Sequence, residues 1–305
     1  MNDLRTGPGT LLLPLVLALG MGCGAQAGAA EEGADAGLPG LVDSARGGSW
    51  QEVSVEEAGA ARALFEALLA GDEGDEVAAR LAALDLSLRR LPTPAGELLV
   101  VSERDGGLRG RGMFAIRPAA DAEVILQAPH SRSDRGTGEL TALWMQQLPF
   151  RAAAWNTLHR DAADDGRTAL GSDLARARTS YFTALAEAAL GTLAEPIIIQ
   201  VHGFDAGRRT SDAGRDSAMI ISSGTELPEP PALARSGCMP AAVGTVRLYP
   251  LDVQELGGTL NPVGRLLRAR RAPGFVHVEM AAPTRTALRE DADLREAVGL
   301  CLLGH

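Results

Sequence analysis

The stretch Glu123–Glu139, EVILQAPHSRSDRGTGE, decides how this chain is read. Val124, Ile125 and Leu126 form a short apolar run that delivers Pro129 and His130 to the end of a buried strand. A tight polar loop follows. Thr137-Gly138-Glu139 then opens an amphipathic segment, because Leu140, Leu143, Trp144 and Leu148 recur at helical spacing. A histidine and two carboxylates, Asp134 and Glu139, therefore sit on a strand-to-helix turn. In α/β proteins the carboxyl ends of strands are where sites are built. Two later apolar strands end in the same manner: Ile197–His202 (IIIQVH) and Phe275–Glu279 (FVHVE).

Outward from that stretch, strands and helices alternate. Strands are expected at Arg151–Asn156, Pro196–His202, Ala218–Ser222, Thr245–Tyr249 and Gly274–Met280. Helices are expected at about Arg176–Leu190 and from Arg285 to the end. Uniformly apolar strands separated by helices predict an α/β fold with a mixed, mostly parallel sheet covered by helices on both faces. Upstream, residues 53–91 carry two helix-period patterns, broken at Gly71-Asp72-Glu73-Gly74 and stopped by Pro92, which predict an N-terminal helical hairpin. Leu98–Val101 and Met113–Ile116 read as strands around a glycine-rich turn. No Lys-Ser/Thr follows those glycines, so a hairpin is expected rather than a phosphate loop. The organisation expected is a targeting segment at 1–23, a flexible Gly/Ala/acidic tether at 24–48, the hairpin and first strands at 49–122, and the main α/β core at 123–305.

The targeting reading rests on Arg5 followed by Leu11–Leu19 (LLLPLVLAL), an apolar run too short to span a bilayer. Two processing points compete. Gly22-Cys23 would give a lipoprotein anchored through Cys23, and Ala25-Gln26-Ala27 would give ordinary secretion. Both predict export to the cell envelope, and any membrane contact is expected only through the N-terminal lipid of the first route. Setting Cys23 aside leaves Cys238 and Cys301, a pair expected to be oxidised outside the cytoplasm. The formal net charge of −10 argues against a nucleic-acid partner, which requires a basic face. Every basic side chain other than histidine is arginine.

His-and-carboxylate loops at strand ends predict a metal hydrolase with zinc as cofactor, since a catalytic zinc takes three protein ligands and leaves one position open. His130 and His202 each follow an apolar strand and are expected at one edge of the sheet. Asp134, four residues after His130, is the preferred third ligand; Glu139 is the alternative, with a competing role at the positive end of its helix. Glu279 stands in an otherwise apolar strand, on the same side as His277 by alternation. A carboxylate there costs several kcal/mol unless it is paired or faces a site. It is the expected general base. Asn156 and His159, past another strand end, are candidates for the pocket wall. Arg208 and Arg209, in a loop after His202, are candidates for clamping a substrate carboxylate. Ser222-Ser223-Gly224 lacks the Gly-x-Ser-x-Gly elbow, which excludes a serine hydrolase of that type.

His130-x₃-Asp134-Arg135-Gly136-Thr137-Gly138-Glu139 resembles the H-G-G-x-I-E-P-G-T-x-E signature of the phage-type poly-γ-glutamate hydrolases. Gln200-Val201-His202-Gly203 resembles their S-x-H-G strand end, and Phe275–Arg285 (FVHVEMAAPTR) is similar to their terminal segment carrying Glu and Arg. Those enzymes belong to the zinc carboxypeptidase-like amidohydrolases. The resemblance implies zinc on His130, Asp134 and His202, Glu279 as base, Arg285 near a substrate carboxylate, and a small peptide-like or polymeric amide as substrate. The chain departs from the signature: the first loop is one residue shorter, Asp stands in place of Glu, and Ser131-Arg132 in place of two glycines. An intact Glu279 separates the enzyme reading from a non-catalytic, metal-retaining envelope binding protein.

Overall fold

The computed structural model describes residues 37–104, 106–163 and 171–305. The targeting segment and its two processing points lie outside these residues. In chain order the first elements are helix α1 (Gly37–Ser44), α2 (Val55–Leu69), α3 (Asp75–Ala83) and strands β1 (Leu86–Leu91), β2 (Leu98–Glu103) and β3 (Met113–Ile116). Next come β4 (Val124–Ala128), α4 (Thr137–Gln147), β5 (Ala152–Trp155), α5 (Tyr181–Thr192), β6 (Ile197–Phe204), the single turn α6 (Asp212–Arg215) and β7 (Met219–Ser222). The chain continues through α7 (Pro230–Cys238), β8 (Val246–Leu248), α8 (Pro262–Ala269), β9 (Phe275–Ala281), α9 (Ala282–Glu290) and α10 (Ala292–Leu303).

The strands form one nine-stranded mixed sheet in the order β1-β2-β3-β5-β4-β6-β9-β7-β8. Its centre, β5-β4-β6-β9, is parallel; β1 to β3 extend it as an antiparallel meander, and β7 runs against β9. Helices cover both faces. Leu126, Val201 and Val278 point toward α1, α4, α7, α9 and α10, while Ile125, Ile198 and Phe275 point toward α2, α3, α5 and α8. Burial on both sides explains why the central strands read as continuous apolar runs instead of alternating ones.

Two expectations about the N-terminal third need correction. Residues 37–44 are not tether: Leu38, Leu41 and Val42 fall at i, i+3 and i+4, and Leu38 and Val42 are buried in the main core. The Leu38 amide donates to Gln146 Oε1 at 2.9 Å and Arg132 donates to the Val42 carbonyl, so α1 is docked. The second helix of the expected hairpin ends at Ala83, and Leu86–Leu91 is a strand. Asp85 adopts a left-handed φ of 56°, which breaks the helix, and the following residues pair antiparallel with β2 from Leu86↔Glu103 to Leu91↔Leu98. A ready partner strand overrides the helical propensity of LSLRRL. The terminal helix also starts earlier than expected and divides at Asp291 into α9 and α10.

The glycine-rich turn between β2 and β3 is a hairpin loop, with Ser102 paired to Met113. The amides of Arg109, Gly110 and Arg111 all donate to the Glu103 carboxylate, at 2.6, 3.1 and 3.0 Å. An internal carboxylate takes up all three of these loop amides. Cys238 and Cys301 are joined, tying α7 to α10 with Cα atoms 5.6 Å apart. No helix among the described residues is long and apolar enough to cross a membrane.

Candidate metal centre

On one face of the sheet, side-chain chemistry changes along the central strands. From the amino to the carboxyl end, β4 presents Ile125 then Gln127; β6 presents Ile198, Gln200, His202; β9 presents Phe275, His277, Glu279. Register places Gln127 beside Gln200, Gln200 beside His277, and His202 beside Glu279. An apolar residue at each position would contribute about 1.5–3 kcal/mol on burial. The chain forgoes that gain here, at the strand ends where sites form.

His130 and Asp134 arrive from the loop after β4. The His130 carbonyl accepts from the Ser133 and Asp134 amides at 2.8 and 2.7 Å, a tight turn that folds Asp134 back over the imidazole. Gly136, with φ of +90°, then lets the chain enter α4, where a non-glycine residue would be strained. The result is a convergence of three buried donors. His130 Nδ1 lies 3.2 Å from His202 Nδ1 and 3.3 Å from Asp134 Oδ2, and His202 Nδ1 lies 3.6 Å from the same oxygen. Ligands held about 2.0–2.1 Å from a tetrahedral zinc stand about 3.3–3.4 Å from one another. Two imidazoles and one carboxylate at this spacing fit zinc in both geometry and donor type. His130, Asp134 and His202 would hold the ion.

Asp173 completes the arrangement. Its Oδ1 lies 2.8 Å from His130 Nε2, so His130 donates there and keeps Nδ1 for the cluster. A carboxylate behind a ligating histidine fixes ring orientation and raises its basicity. Burial works against charge on His130, but Asp134 and Asp173 outweigh it and raise its pKa. Burial likewise disfavours charge on Asp134, yet its hydrogen bonds with His130 and His202 hold its carboxyl far below the usual range. A cation held there would take the place of the proton this cluster attracts. His202 differs: burial and the neighbouring His130 charge push its pKa down, keeping it neutral.

Glu279 lies beside His202 on β9, buried, with Oε1 at 3.8 Å from His277 Nε2 and Oε2 without a hydrogen-bond partner. Burial and the Asp134 charge push its carboxyl up from 4.5 to about 8. His202, His277 and Glu279 also form a cluster, with donor atoms up to 4.8 Å apart. All these groups line a cavity of about 1190 Å³.

The remaining expected residues separate. Glu139 is turned away from the centre, half-exposed and ion-paired to Arg289 at 2.6 Å, so Asp134 is the carboxylate in the cluster. Arg285 lines the cavity, but its Nε donates to the Arg135 carbonyl at 2.8 Å and its Nη1 to Met280 and Phe204 carbonyls. It holds the turn and rests on Gly203, where any Cβ would meet its guanidinium at 2.3 Å. Asn156 is buried away from the cavity wall; its Nδ2 donates to the Pro129 and Ser172 carbonyls, which ties the His130 loop to the Asp173 loop. His159 lines the rim, exposed and 3.4 Å from Asp161. Arg208 also reaches the cavity, largely solvated and 3.5 Å from Asp205, while Arg209 pairs with Glu255 at 3.7 Å.

Two contributors carried no local signal, and a third was passed over. Asp173 lies 43 residues from the histidine it supports. Arg160 brings Nη1 within 3.5 Å of His130 Nδ1 and 4.0 Å of Asp134 Oδ1. Gln200 lies 3.3 Å from His202 Nε2. The alternating polar residues at the carboxyl ends of otherwise apolar strands were the readable clue to Gln200.

No protein-family model and no curated protein matches the chain. Among solved structures it is similar to N-formylglutamate amidohydrolase from Ralstonia eutropha JMP134, with 16% identity and a TM-score of 0.42 over 64% of this chain and 96% of that one. It is also similar to succinylglutamate desuccinylase from Chromobacterium violaceum, with 13% identity and a TM-score of 0.39 over 79% of this chain and 73% of that one. The reading of function rests on the site itself.

Proposed function

We propose that this chain is a zinc-dependent amidohydrolase acting on a small amide that carries a negative charge. The observation that carries the reading is the convergence of His130 Nδ1, Asp134 Oδ2 and His202 Nδ1 at zinc-ligand spacing, beside a buried carboxylate with a free oxygen. Zinc bound there supplies a Lewis acid that polarises the scissile carbonyl and acidifies water. Glu279 takes the proton from the attacking water through Oε2 and returns it to the departing nitrogen. Arg160, its guanidinium beside the donor cluster, stabilises the negative charge that develops on the carbonyl oxygen. Arg135, Arg176 and Arg208 surround the mouth and favour a substrate carboxylate.

We place this activity outside the cytoplasm. The apolar Leu11–Leu19 run and the joined cysteines support that reading, since disulfides persist in oxidising compartments. The test is elemental analysis with activity. Purified chain should carry about one zinc and cleave at least one member of a panel of N-acylamino acids and glutamyl peptides. His130→Ala and His202→Ala should each lose the metal and the activity. Full zinc occupancy in the double variant overturns the site.

A further inference from the structure

A histidine ligates zinc only through a ring nitrogen that carries no proton, and which nitrogen is free depends on what the other one meets. For His130 a carboxylate settles this. For His202 the partner is a neutral amide, Gln200, which presents an acceptor from one end and a donor from the other. Its orientation therefore decides whether His202 Nδ1 is a lone pair or an N–H.

That orientation is fixed from both sides by backbone groups of unambiguous polarity. On one side the Phe182 carbonyl, which only accepts, takes a hydrogen bond from Gln127 Nε2 at 3.0 Å. Gln127 must then offer Oε1 to its neighbour, and Gln200 Nε2 donates to it at 2.8 Å. On the other side the amides of Val263 and Gly264, which only donate, fall on Asn261 Oδ1 at 3.0 and 3.4 Å, capping α8. Asn261 therefore turns Nδ2 toward Gln200 and donates to its Oε1 at 2.6 Å. Both chains of reasoning put Gln200 Oε1 beside His202 Nε2, at 3.3 Å. Gln127 and Gln200 are fully buried and Asn261 nearly so. An unmatched amide there costs about 1–3 kcal/mol.

We propose that Gln200, held by Gln127 and Asn261, is a positioning residue that locks His202 as the Nε2–H tautomer and so presents its Nδ1 lone pair to the metal. The proposal rests on the zinc reading above. It also separates the two donor clusters: with Nε2 protonated and Nδ1 aimed at His130 and Asp134, His202 has no lone pair left for His277 and Glu279.

Two variants of the full chain test it. Gln200→Met removes the acceptor at nearly constant volume, leaving the ligands in place. Zinc affinity, read by competition with a chromophoric chelator, should fall about 10–100-fold, the usual effect of losing a partner behind a metal ligand. Asn261→Asp keeps the helix cap, since Asp caps as well as Asn, but turns a carboxylate oxygen toward Gln200 Oε1 and presses the amide to flip. Added negative charge near a cation would by itself tighten zinc binding; the tautomer lock demands that binding weaken. Should Gln200→Met not fold, this sign carries the test. Independently, long-range proton–nitrogen spectra of zinc-free, histidine-labelled parent should show His202 protonated on Nε2, and on both nitrogens in exchange in the variants. Unchanged zinc affinity in both variants, or a parent His202 protonated on Nδ1, overturns the proposal. A parent that binds no zinc but shows the Nε2–H form defeats the zinc reading and leaves the lock standing.

Discussion

Glu279 carries the most chemistry per atom in this molecule. In the metal-free chain its carboxyl titrates near 8, raised first by burial and then by Asp134. The folded state thus holds a proton that the unfolded chain, titrating near 4.5, has already released. Between those two values the native state binds more protons, so stability falls as pH rises. Glu279→Gln removes this penalty. Metal-free Glu279→Gln should melt at the same temperature as the parent at pH 4.5 and clearly above it at pH 9. Zinc-loaded, the same variant should retain its metal and lose at least ~10²-fold in turnover, the scale of a general acid–base group. Equal turnover in the two proteins sinks the proposed mechanism. Glu279, His130 and His202 were legible because each interrupts or follows an apolar strand, and Asp134 because it lies four residues after His130. Asp173 and Arg160 were not, because only the folded loops bring them to His130. Arg285, matched by pattern, does line the cavity, with its Nε and Nη1 held by backbone carbonyls.

At the scale of elements, apolar runs located the central strands, because a parallel strand buried on both faces must be continuously apolar. The same logic fails at the sheet margin. LSLRRL in β1 is half-exposed and amphipathic under either period, so only the neighbouring β2 decides that it extends. Helices α7 and α8 were also missed; each begins with proline inside polar, turn-rich sequence. The cysteine pair has a consequence at this scale. It joins α7 and α10, which pack on the face opposite Gln200, His202 and Glu279, across a separation of 63 residues. Closing a loop of that length is worth about 4 kcal/mol in the chain-entropy account, with smaller values common in practice. Replacing both cysteines by serine should lower the urea midpoint by an amount equivalent to about 2–4 kcal/mol with zinc affinity unchanged. A loss of zinc alongside stability would show that the two faces are coupled.

The whole molecule sets charge against charge. The chain carries a formal net charge of −10, yet arginines 135, 160, 176, 208 and 209 line the one cavity that holds the donor cluster. Asp134 and Asp173 neutralise part of that charge at Arg160, and Arg209 is paired to Glu255. Arg135, Arg176 and Arg208 face solvent at the mouth, with Asp173 beside Arg176 and Asp205 beside Arg208. An acidic surface repels anions at a distance, and a cationic rim attracts them within a screening length of about 8–10 Å at moderate salt. For an anionic amide substrate this arrangement acts on encounter and ground-state binding, not on the chemical step. Raising ionic strength from 20 to 300 mM should therefore raise KM several-fold while kcat stays nearly constant. Arg208→Gln, whose side chain is 82% exposed and outside the donor cluster, should raise KM at low salt and flatten the salt dependence. With an uncharged amide of the same acyl group neither change should occur. If the neutral amide shows the same salt response as the anionic one, the rim does not select for charge, and the substrate must be sought among neutral amides.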